Sequence, residues 1–302
     1  MSRAALVILN PVSGRGRTTR LWWRLRRGVE QHFPHLLVHE TSAPGDAGRQ
    51  AAIWAAAGEP GPILIVGGDG TIHEVVNGLF PGERRIPFGV IPAGTGNDFA
   101  RNAGIPLDPD LAVERLGRGS GRLLDLGQLH FRDPAGVERH VVFLNSTSVG
   151  VSPAANRHAQ WLGYTIGGVA ALLTEHRRRF AVSEGGRMVH EGKALNITMA
   201  NGAGFGAGMR ISPDSSPWDG VLERVIIGPI GLGRALLAFA RLKRGRHIGM
   251  AGISVGKAAG ETTIESEGAL QVEADGHEFR AAGKITISLE AGAIGVLGVG
   301  GG

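Results

Sequence analysis

The chain lacks several residue types and patterns, and each absence removes a class of function. It contains no cysteine, which excludes disulfide bonds, thiol catalysis and cysteine-based metal sites. A run of about 18 or more apolar residues, as a membrane-spanning helix requires, is also missing. The first apolar run, residues 4–9, is too short for the core of a signal peptide. We therefore expect a cytoplasmic protein with no transmembrane segment, whose membrane association is peripheral.

We expect no nucleic-acid partner. The 32 Lys and Arg residues exceed the 27 Asp and Glu residues and give a net charge of +5. This excess favours an anionic partner such as a nucleotide or a lipid surface. His32, His35 and His39 do not have the spacing of a helical zinc site, so we expect no zinc.

The chain is rich in apolar residues and glycine, at 42% hydrophobic residues and 50 glycines in 302. Its first 125 residues alternate short apolar runs with amphipathic stretches. This alternation predicts an α/β domain with a mostly parallel sheet. We predict strands over residues 5–10, 36–41, 63–66 and 88–91, and helices over residues 18–31, 46–57, 72–80 and 111–116.

The pattern changes after Asp125, where short apolar runs are separated by Gly, Pro and Asp turns. Such a pattern is typical of antiparallel β structure. Helices are predicted only over residues 160–176 and 232–243 in this part. We therefore place a domain boundary near residues 126–130, between the α/β domain and a β-rich domain.

The stretch VGGDGT combines flexible residues and a carboxylate directly after an apolar strand. Gly67, Gly68 and Gly70 would let backbone N–H groups approach phosphate oxygens. Thr71 and Glu74 fit a capping box, which predicts that the next helix begins directly after Gly70. Asp69 would then lie where an anion binds, which suits a Mg²⁺ ion that bridges the carboxylate to phosphate. Taken alone, this aspartate is also compatible with a simple turn cap.

Two further glycine-rich loops follow predicted strands. NPVSGRGR spans residues 10–17, and IPAGTGNDFAR spans residues 91–101 and includes Asp98. Loops at the carboxyl ends of parallel strands lie at one edge of the sheet, so we expect the three loops to converge. Neither standard nucleotide-binding fingerprint is present, since there is no G-x-x-x-x-G-K-[ST] and no G-x-G-x-x-G opening the first βαβ unit.

The three loops resemble the diacylglycerol kinase catalytic domain family, in its soluble bacterial lipid kinase branch, which includes sphingoid-base kinases. The resemblance covers nearly the whole chain. It continues through TSAPGDA (41–47), LDLGQL (124–129), FLNSTSVGV (143–151), NGAGFGAGMRISPDSSPWDGVL (201–222), LLAFARLKRGRHI (236–248) and VEADGHEF (272–279).

The resemblance implies an NAD kinase-like nucleotide-binding domain over residues 1–127 and a C-terminal β-sandwich domain over residues 128–283 for the lipid substrate. It also implies that residues from about 284 to 302 return to the first domain. The implied ATP contacts are Asn10, Ser13, Gly14, Thr41, Gly67, Gly68, Asp69, Gly70, Thr71 and Thr95.

The resemblance also implies the catalytic roles. Asp69, Asp98 and Asp125 would hold the catalytic Mg²⁺, in part through water. Asp275 in ADGH would be the general base that accepts the proton of the lipid hydroxyl. Asp219 would bind a second, structural Mg²⁺ together with the main-chain carbonyls of Leu222 and Arg224.

Two features of the sequence leave alternatives open. His277 stands where family members usually carry an acidic residue, and it fits either a proton relay or a turn cap. The segment over residues 232–246 has apolar residues at helical spacing and a basic end. It fits either an amphipathic element at a lipid surface or an ordinary core helix with a charged end.

The sequence therefore predicts an ATP-dependent lipid kinase that phosphorylates a hydroxyl of a lipid such as diacylglycerol at a membrane surface. The alternatives are an NAD kinase-like enzyme and a catalytically silent nucleotide- or lipid-binding regulatory protein. The identity of the lipid and the occupancy of the structural Mg²⁺ site stay open. The oligomeric state also stays open, and a homodimer is compatible with the sequence.

Overall fold

The computed structural model describes residues 4–57, 60–80, 82, 86–150, 178–206 and 208–300. The chain divides into two compact units, the first formed by Met1–Asp125 with Ala291–Gly302 and the second by Leu126–Glu290. The helix predicted over residues 160–176 lies outside the described residues.

The first unit alternates strands and helices. Its elements are β1 (Ala5–Leu9), α1 (Ser13–Gly16), α2 (Thr18–His32), β2 (Leu36–Glu40), α3 (Asp46–Ala56), β3 (Ile63–Gly67), α4 (Asp69–Leu79), β4 (Phe88–Pro92), α5 (Asp98–Ala103) and α6 (Pro109–Gly117). Its strands pair in the order β2-β1-β3-β4, all in parallel. Every residue of β1, β3 and β4 is buried, as expected for a parallel sheet covered on both faces.

Helices cover this sheet in two pairs. Trp22, Leu25 and Val29 of α2 and Val113 and Leu116 of α6 pack on alternate residues of β1 and β3. Helices α3 and α4 contact each other and also contact these strands. The expected α/β domain with a mostly parallel sheet is confirmed.

The second unit contains mostly strands. They are β5 (Gly121–Arg132), β6 (Glu138–Phe143), β7 (Ser146–Gly150), β8 (Arg178–Glu184), β9 (Arg187–Ala194), β10 (Asn196–Ala200), β11 (Glu223–Ile227), β12 (Ile253–Lys257), β13 (Thr262–Glu265), β14 (Leu270–Ala274), β15 (His277–Ala281) and β16 (Lys284–Leu297). The division between the units falls within β5 and again within β16.

The strands of the second unit form an antiparallel sandwich. One sheet has the order β12-β11-β10-β7-β14-β15, and the other includes β16, β13, β8 and β9. Both sheets contribute to one core, with Val149, Ile197 and Val272 from the first and Phe180 and Ile264 from the second. The expected antiparallel second domain is confirmed.

The last strand, β16, changes partner along its length. Lys284 to Ile287 pair antiparallel with β13, whereas Val296 and Leu297 pair parallel with Phe88 and Gly89 of β4. The final residues of the chain thereby add a strand to the parallel sheet of the first unit.

One helix, α7 (Leu232–Leu242), interrupts the strands of the second unit. Its bounds agree closely with the helix predicted over residues 232–243. Ala235, Ala238 and Leu242 are buried, whereas Leu232 and Leu236 are exposed. Two alanines and one leucine thus face the protein, while Leu232 and Leu236 face outward.

Candidate active site

The first glycine-rich loop follows β1 and turns sharply against the third. Gly14, Arg15 and Gly16 all have positive φ angles, of 56°, 61° and 79°. A Cβ atom on Gly14 would clash with the carbonyl oxygen of Ala93, so only glycine permits this approach. The hydroxyl of Thr18 donates a hydrogen bond to the carbonyl of Ser13 (2.8 Å) and fixes the end of the turn.

The second and third loops touch through their glycines. A Cβ atom on Gly68 would lie 2.9 Å from the Cα atom of Gly94, which is closer than real Cβ atoms approach. Asn97 holds the third loop, since its side-chain oxygen accepts from the Gly94 N–H (2.9 Å) and its amide donates to the Gly94 carbonyl (3.1 Å). We refer to residues 10–17, 67–71 and 93–98 as the glycine-loop cluster.

Asp69 and Asp98 flank the same point in this cluster. A Cβ atom on Gly96 would lie 3.2 Å from an Asp69 carboxylate oxygen and 3.4 Å from an Asp98 carboxylate oxygen. The other oxygen of Asp69 accepts a hydrogen bond from the backbone N–H of Phe99 (2.9 Å). Asp98 is only 8% exposed. The two carboxylates are chemically suited to bind Mg²⁺, and the glycine backbone beside them leaves room for a phosphate group.

Thr71 plays a different part from the one predicted. Helix α4 begins at Asp69, with Gly68 at its N-cap and no side-chain capping bond, so the capping-box prediction is wrong. Thr71 lies within the first turn, and its hydroxyl accepts a hydrogen bond from the side-chain amide of Asn10 (2.9 Å). The hydroxyl therefore joins the first loop to the second.

Thr41 follows β2 beside the first loop, since its N–H donates to the carbonyl of Leu9 (2.9 Å). The segment after it is fixed by Asp46, which accepts hydrogen bonds from the Ser42 N–H (2.9 Å) and from the ring nitrogen of His39 (3.1 Å). The Ser42 N–H and the His39 ring hold the pKa of Asp46 below its usual range. Asp46 is buried and begins α3, and it was not predicted as a site residue.

Asp125 lies near the end of the first unit and is 3% exposed. One of its carboxylate oxygens accepts the backbone N–H of Gly292 (2.8 Å). Within the described residues, no three His, Cys, Asp or Glu side chains are grouped closely enough to bind a metal ion directly. A Mg²⁺ ion at Asp69 and Asp98 would therefore take phosphate or water oxygens to complete its octahedral shell.

Asp275 lies in the turn between β14 and β15. It has a φ of 48°, and Gly276 has a φ of 87°, as an Asp-Gly hairpin turn requires. Its carboxylate accepts three backbone N–H groups, from Leu144 (2.7 Å), Asn145 (2.8 Å) and Ser146 (3.2 Å). The carboxylate is therefore held rigidly against the connection between β6 and β7.

Glu273 supports this turn from within β14, although it was not predicted as a site residue. It is 1% exposed, and it accepts hydrogen bonds from the Gly276 N–H and from the hydroxyl of Ser148 (3.0 Å). Burial raises the pKa of Glu273 to about 7, and the nearby carboxylates of Asp275 and Glu278 act in the same direction. The only signal in the sequence is an acidic residue within the apolar run Leu270–Ala274.

The other predicted site residues lie on strands and turns of the second unit. His277 is the first residue of β15, opposite Ala274 in β14. Asp219 accepts the N–H of Val221 (3.1 Å), and the carbonyl of Leu222 accepts the N–H of Ala258 (2.8 Å). The guanidinium of Arg224 forms an ion pair with the buried carboxylate of Glu184.

Two family models match the chain. The diacylglycerol kinase catalytic domain matches residues 4–129. The YegS C-terminal NAD kinase beta sandwich-like domain matches residues 145–298. The two matches together cover both units of the structure.

Relatives and solved structures agree with these matches. A diacylglycerol kinase of Bacillus subtilis (strain 168) is 33% identical over 251 residues, covering 82% of this chain and 80% of the relative. A crystal structure of a diacylglycerol kinase from Bacillus anthracis str. Sterne has a TM-score of 0.75 at 23% identity, covering 98% and 96% of the two chains. An NAD kinase from Archaeoglobus fulgidus in complex with ATP shares the fold, with a TM-score of 0.57 at 17% identity over 97% and 93% of the chains.

Among the described residues, every helix is too short or too polar to cross a bilayer. The same family is indicated by the matched domains, by the similarity to the Bacillus subtilis relative and by the arrangement of glycines and carboxylates. The chain belongs to the diacylglycerol kinase catalytic domain family of kinases.

Proposed function

We propose that this protein is an ATP-dependent lipid kinase that transfers the γ-phosphate of ATP to a hydroxyl of a lipid such as diacylglycerol. The observation that carries the proposal is the glycine-loop cluster, in which Gly96 lies beside the carboxylates of both Asp69 and Asp98. Phosphoryl transfer requires mainly positioning and charge neutralisation. The glycine loops would position the phosphates, and the two carboxylates would hold the Mg²⁺ ion that neutralises their charge.

The first unit would bind the nucleotide. The cluster offers backbone N–H groups to phosphate oxygens, while Asn10 and Thr71 tie its first two loops together. Ser13, Gly14, Thr41, Gly67, Gly70 and Thr95 complete the proposed ATP contacts. When bound beside Asp69 and Asp98, Mg²⁺ would neutralise charge on the phosphates. Asp125 would act on the same ion, in part through water.

The second unit would bind the lipid and supply the base. We assign to Asp275 the acceptance of the proton from the lipid hydroxyl. Its carboxylate is held in place by three N–H donors, and a general base must be positioned within hydrogen-bond reach of the proton that it accepts. We further propose that Asp219 and the carbonyls of Leu222 and Arg224 hold a structural Mg²⁺ ion in this unit.

A screen of acceptors tests the proposed function. The purified protein would be incubated with Mg²⁺ and ATP labelled in its γ-phosphate, with a lipid extract in one set and NAD in another. We expect the label in a lipid, and mass spectrometry of that product would identify the substrate. Label in NAD would instead support an NAD kinase-like enzyme, and no transfer to either would support a regulatory protein without turnover. The Asp69→Asn variant is the control for contaminating kinases.

A further inference from the structure

Helix α7 has apolar residues on both of its faces. Its inner face packs through Ala235, Ala238 and Leu242. On the outer face, Leu232, Leu236 and Leu237 are 47%, 37% and 46% exposed. An ordinary surface helix carries polar and charged residues opposite its buried stripe, so this outer face is suited to an apolar environment.

The outer face is continuous. Residues four positions apart lie in one row along a helix, so Leu232, Leu236 and Ala240 form one row and Gly233 and Leu237 form the next. All five are exposed, and none is charged. We refer to Leu232, Leu236 and Leu237 together as the leucine patch.

Basic residues border the leucine patch on one side and at its end. Arg234 and Arg241 lie seven residues apart on one side of the helix, and three more basic residues follow its last turn, namely Lys243, Arg244 and Arg246. All five are exposed, and none of them forms an ion pair within the part of the chain that the structure describes. The sequence from residue 224 to residue 260 contains no Asp or Glu. No acidic residue of this stretch therefore offsets its positive charge.

The apolar side chains and the basic residues around them together distinguish between two partners that could cover the leucine patch, a second copy of the chain and a lipid bilayer. A second copy of the chain would bring its own five basic residues against these five, and like charges at an interface repel. An anionic bilayer satisfies both features, since apolar side chains enter the boundary between headgroups and acyl chains while basic side chains bind lipid phosphates.

We propose that the leucine patch and the basic residues around it dock this protein on an anionic lipid bilayer. The inference rests on the proposed function and deepens it, because it names the element that brings the enzyme to the surface where a lipid substrate lies. It also combines the two interpretations of residues 232–246, since the helix contributes to the core and to the outer surface at once.

Binding of the full chain to vesicles tests the proposal directly. We would compare sedimentation with vesicles of phosphatidylcholine alone and of phosphatidylcholine with phosphatidylglycerol. The chain should bind the anionic vesicles, and its affinity should fall as salt is raised. Two variants probe the surface, a basic variant (Arg241→Gln, Lys243→Gln, Arg244→Gln, Arg246→Gln) and a leucine variant (Leu232→Ser, Leu236→Ser, Leu237→Ser).

Each lysine or arginine near an anionic surface contributes roughly fivefold in affinity. We therefore expect the basic variant to bind anionic vesicles at least about 50-fold more weakly. Exposed leucines that enter the bilayer lose their contribution when replaced by serine, so the leucine variant should also bind at least about tenfold more weakly. Because these side chains are exposed, both variants should fold normally, and circular dichroism would check this.

Matched variants control for charge and for exposed apolar area. Exposed basic residues elsewhere give the charge control, with Arg27, Arg118, Arg187 and Lys193 changed to Gln. Exposed apolar residues elsewhere give the other control, with Leu37, Ile53 and Met188 changed to Ser. Both controls should bind vesicles like the unaltered chain.

Three outcomes would overturn the proposal. They are unchanged vesicle binding in the leucine variant, an equal loss in either control, and a dimer that the leucine variant dissociates without changing vesicle binding. The last outcome would show that the leucine patch joins two copies.

A short-chain diacylglycerol dissolved as a monomer separates this proposal from the proposed function. Both surface variants should phosphorylate it at the normal rate while losing activity on diacylglycerol in vesicles. If the unaltered chain phosphorylates neither form of diacylglycerol and labels no lipid of the extract, the proposed function fails, whereas vesicle binding still reports on the leucine patch.

Discussion

The glycine-loop cluster and the Asp275 turn are held in place in opposite ways. In the cluster, Gly68 and Gly94 touch because neither carries a side chain. In the turn, a single side chain holds the backbone in place, because the carboxylate of Asp275 accepts hydrogen bonds from three backbone N–H groups. The cluster is therefore sensitive to an added atom, and the turn is sensitive to a lost oxygen.

The largest effect is expected in the turn, from Asp275→Asn. Turnover should fall by about 10²- to 10⁴-fold, as loss of a general base does. ATP affinity should stay unchanged, because the nucleotide loops belong to the other unit. Asparagine accepts the left-handed backbone of this position, but its amide would face N–H donors, so stability should also fall by about 1–3 kcal/mol.

The matched variant is His277→Gln, which alters a neighbour on β15 without touching the carboxylate. It should retain most of the turnover. Lipid phosphorylation, nucleotide affinity and thermal unfolding would be measured on both variants side by side. An inactive His277→Gln together with a nearly normal Asp275→Asn would show that the base is assigned to the wrong residue.

In the cluster, the carboxylates give the next largest effect. Asp69→Asn, Asp98→Asn and Asp125→Asn each remove a charge while preserving volume. Each variant should lose about 10²-fold or more in turnover, since a metal ion contributes several kcal/mol of charge stabilisation. Turnover would be measured as a function of Mg²⁺ concentration. Normal activity in any one variant would remove that residue from the metal site.

The variant Glu273→Gln tests the Asp275 turn in a second way, because Glu273 supports that turn through its hydrogen bond with the Gly276 N–H. The pKa of Glu273 is about 7 in the folded chain, against an ordinary value of 4.5 for a glutamate in water. At a pH between these two pKa values, the unfolded chain has released the Glu273 proton and the folded chain still keeps it. The free energy of unfolding therefore falls as pH rises, and this loss of stability is complete above about pH 7. That loss amounts to about 3 kcal/mol.

The glutamine variant cannot ionise and escapes this loss. Its free energy of unfolding, relative to that of the unaltered chain, should be about 2.5 kcal/mol higher at about pH 8 than at about pH 5. Urea denaturation at the two pH values would measure the difference. Parallel pH dependence in both proteins would contradict the protonation state assigned to Glu273.

The smallest effect is expected from a single methyl group in the cluster. In Gly94→Ala, the added Cβ would lie 2.5 Å from the Cα of Gly68. Overpacking of this kind costs about 1–3 kcal/mol, and ATP affinity should fall by about tenfold as the loops separate. Calorimetric titration with ATP would measure this loss of affinity.

The control is Gly233→Ala in α7, where an added Cβ meets no atom within 4 Å. That variant should gain about 0.5–1 kcal/mol from helix propensity and bind ATP normally. Equal ATP affinity in the two variants would show that the contact between the loops is unimportant.

The fold class was predictable because its main signals are local. The apolar run of β3 (Ile63–Gly67) is buried throughout, and such runs between amphipathic helices indicate a parallel sheet. Strands β8 and β9 were not predicted, although Phe180 and Val182 are buried at alternate positions. The arginines at 178, 179 and 187 and the paired glycines 185 and 186 obscure that alternation.

The candidate site was harder to predict where a residue depends on distant partners. The hydroxyl of Thr71 bonds to Asn10, which lies 61 residues away in the sequence, so its local spacing to Glu74 was misleading. Glu273 is buried by the sandwich around it, and its sequence neighbours do not reveal this. In α7, two alanines are buried beside Leu242 while three leucines are exposed, which hydrophobicity alone does not predict.

The pairing of Val296 and Leu297 with β4 has a consequence for biosynthesis. The strands of the parallel sheet emerge from the ribosome first, but their last neighbour is synthesised only after nearly all of the second unit. Until then β4 presents an unpaired strand edge, which is prone to pairing with other chains. The first unit therefore begins folding early and finishes last, so that a nascent chain truncated before residue 296 would lack the strand that covers this edge.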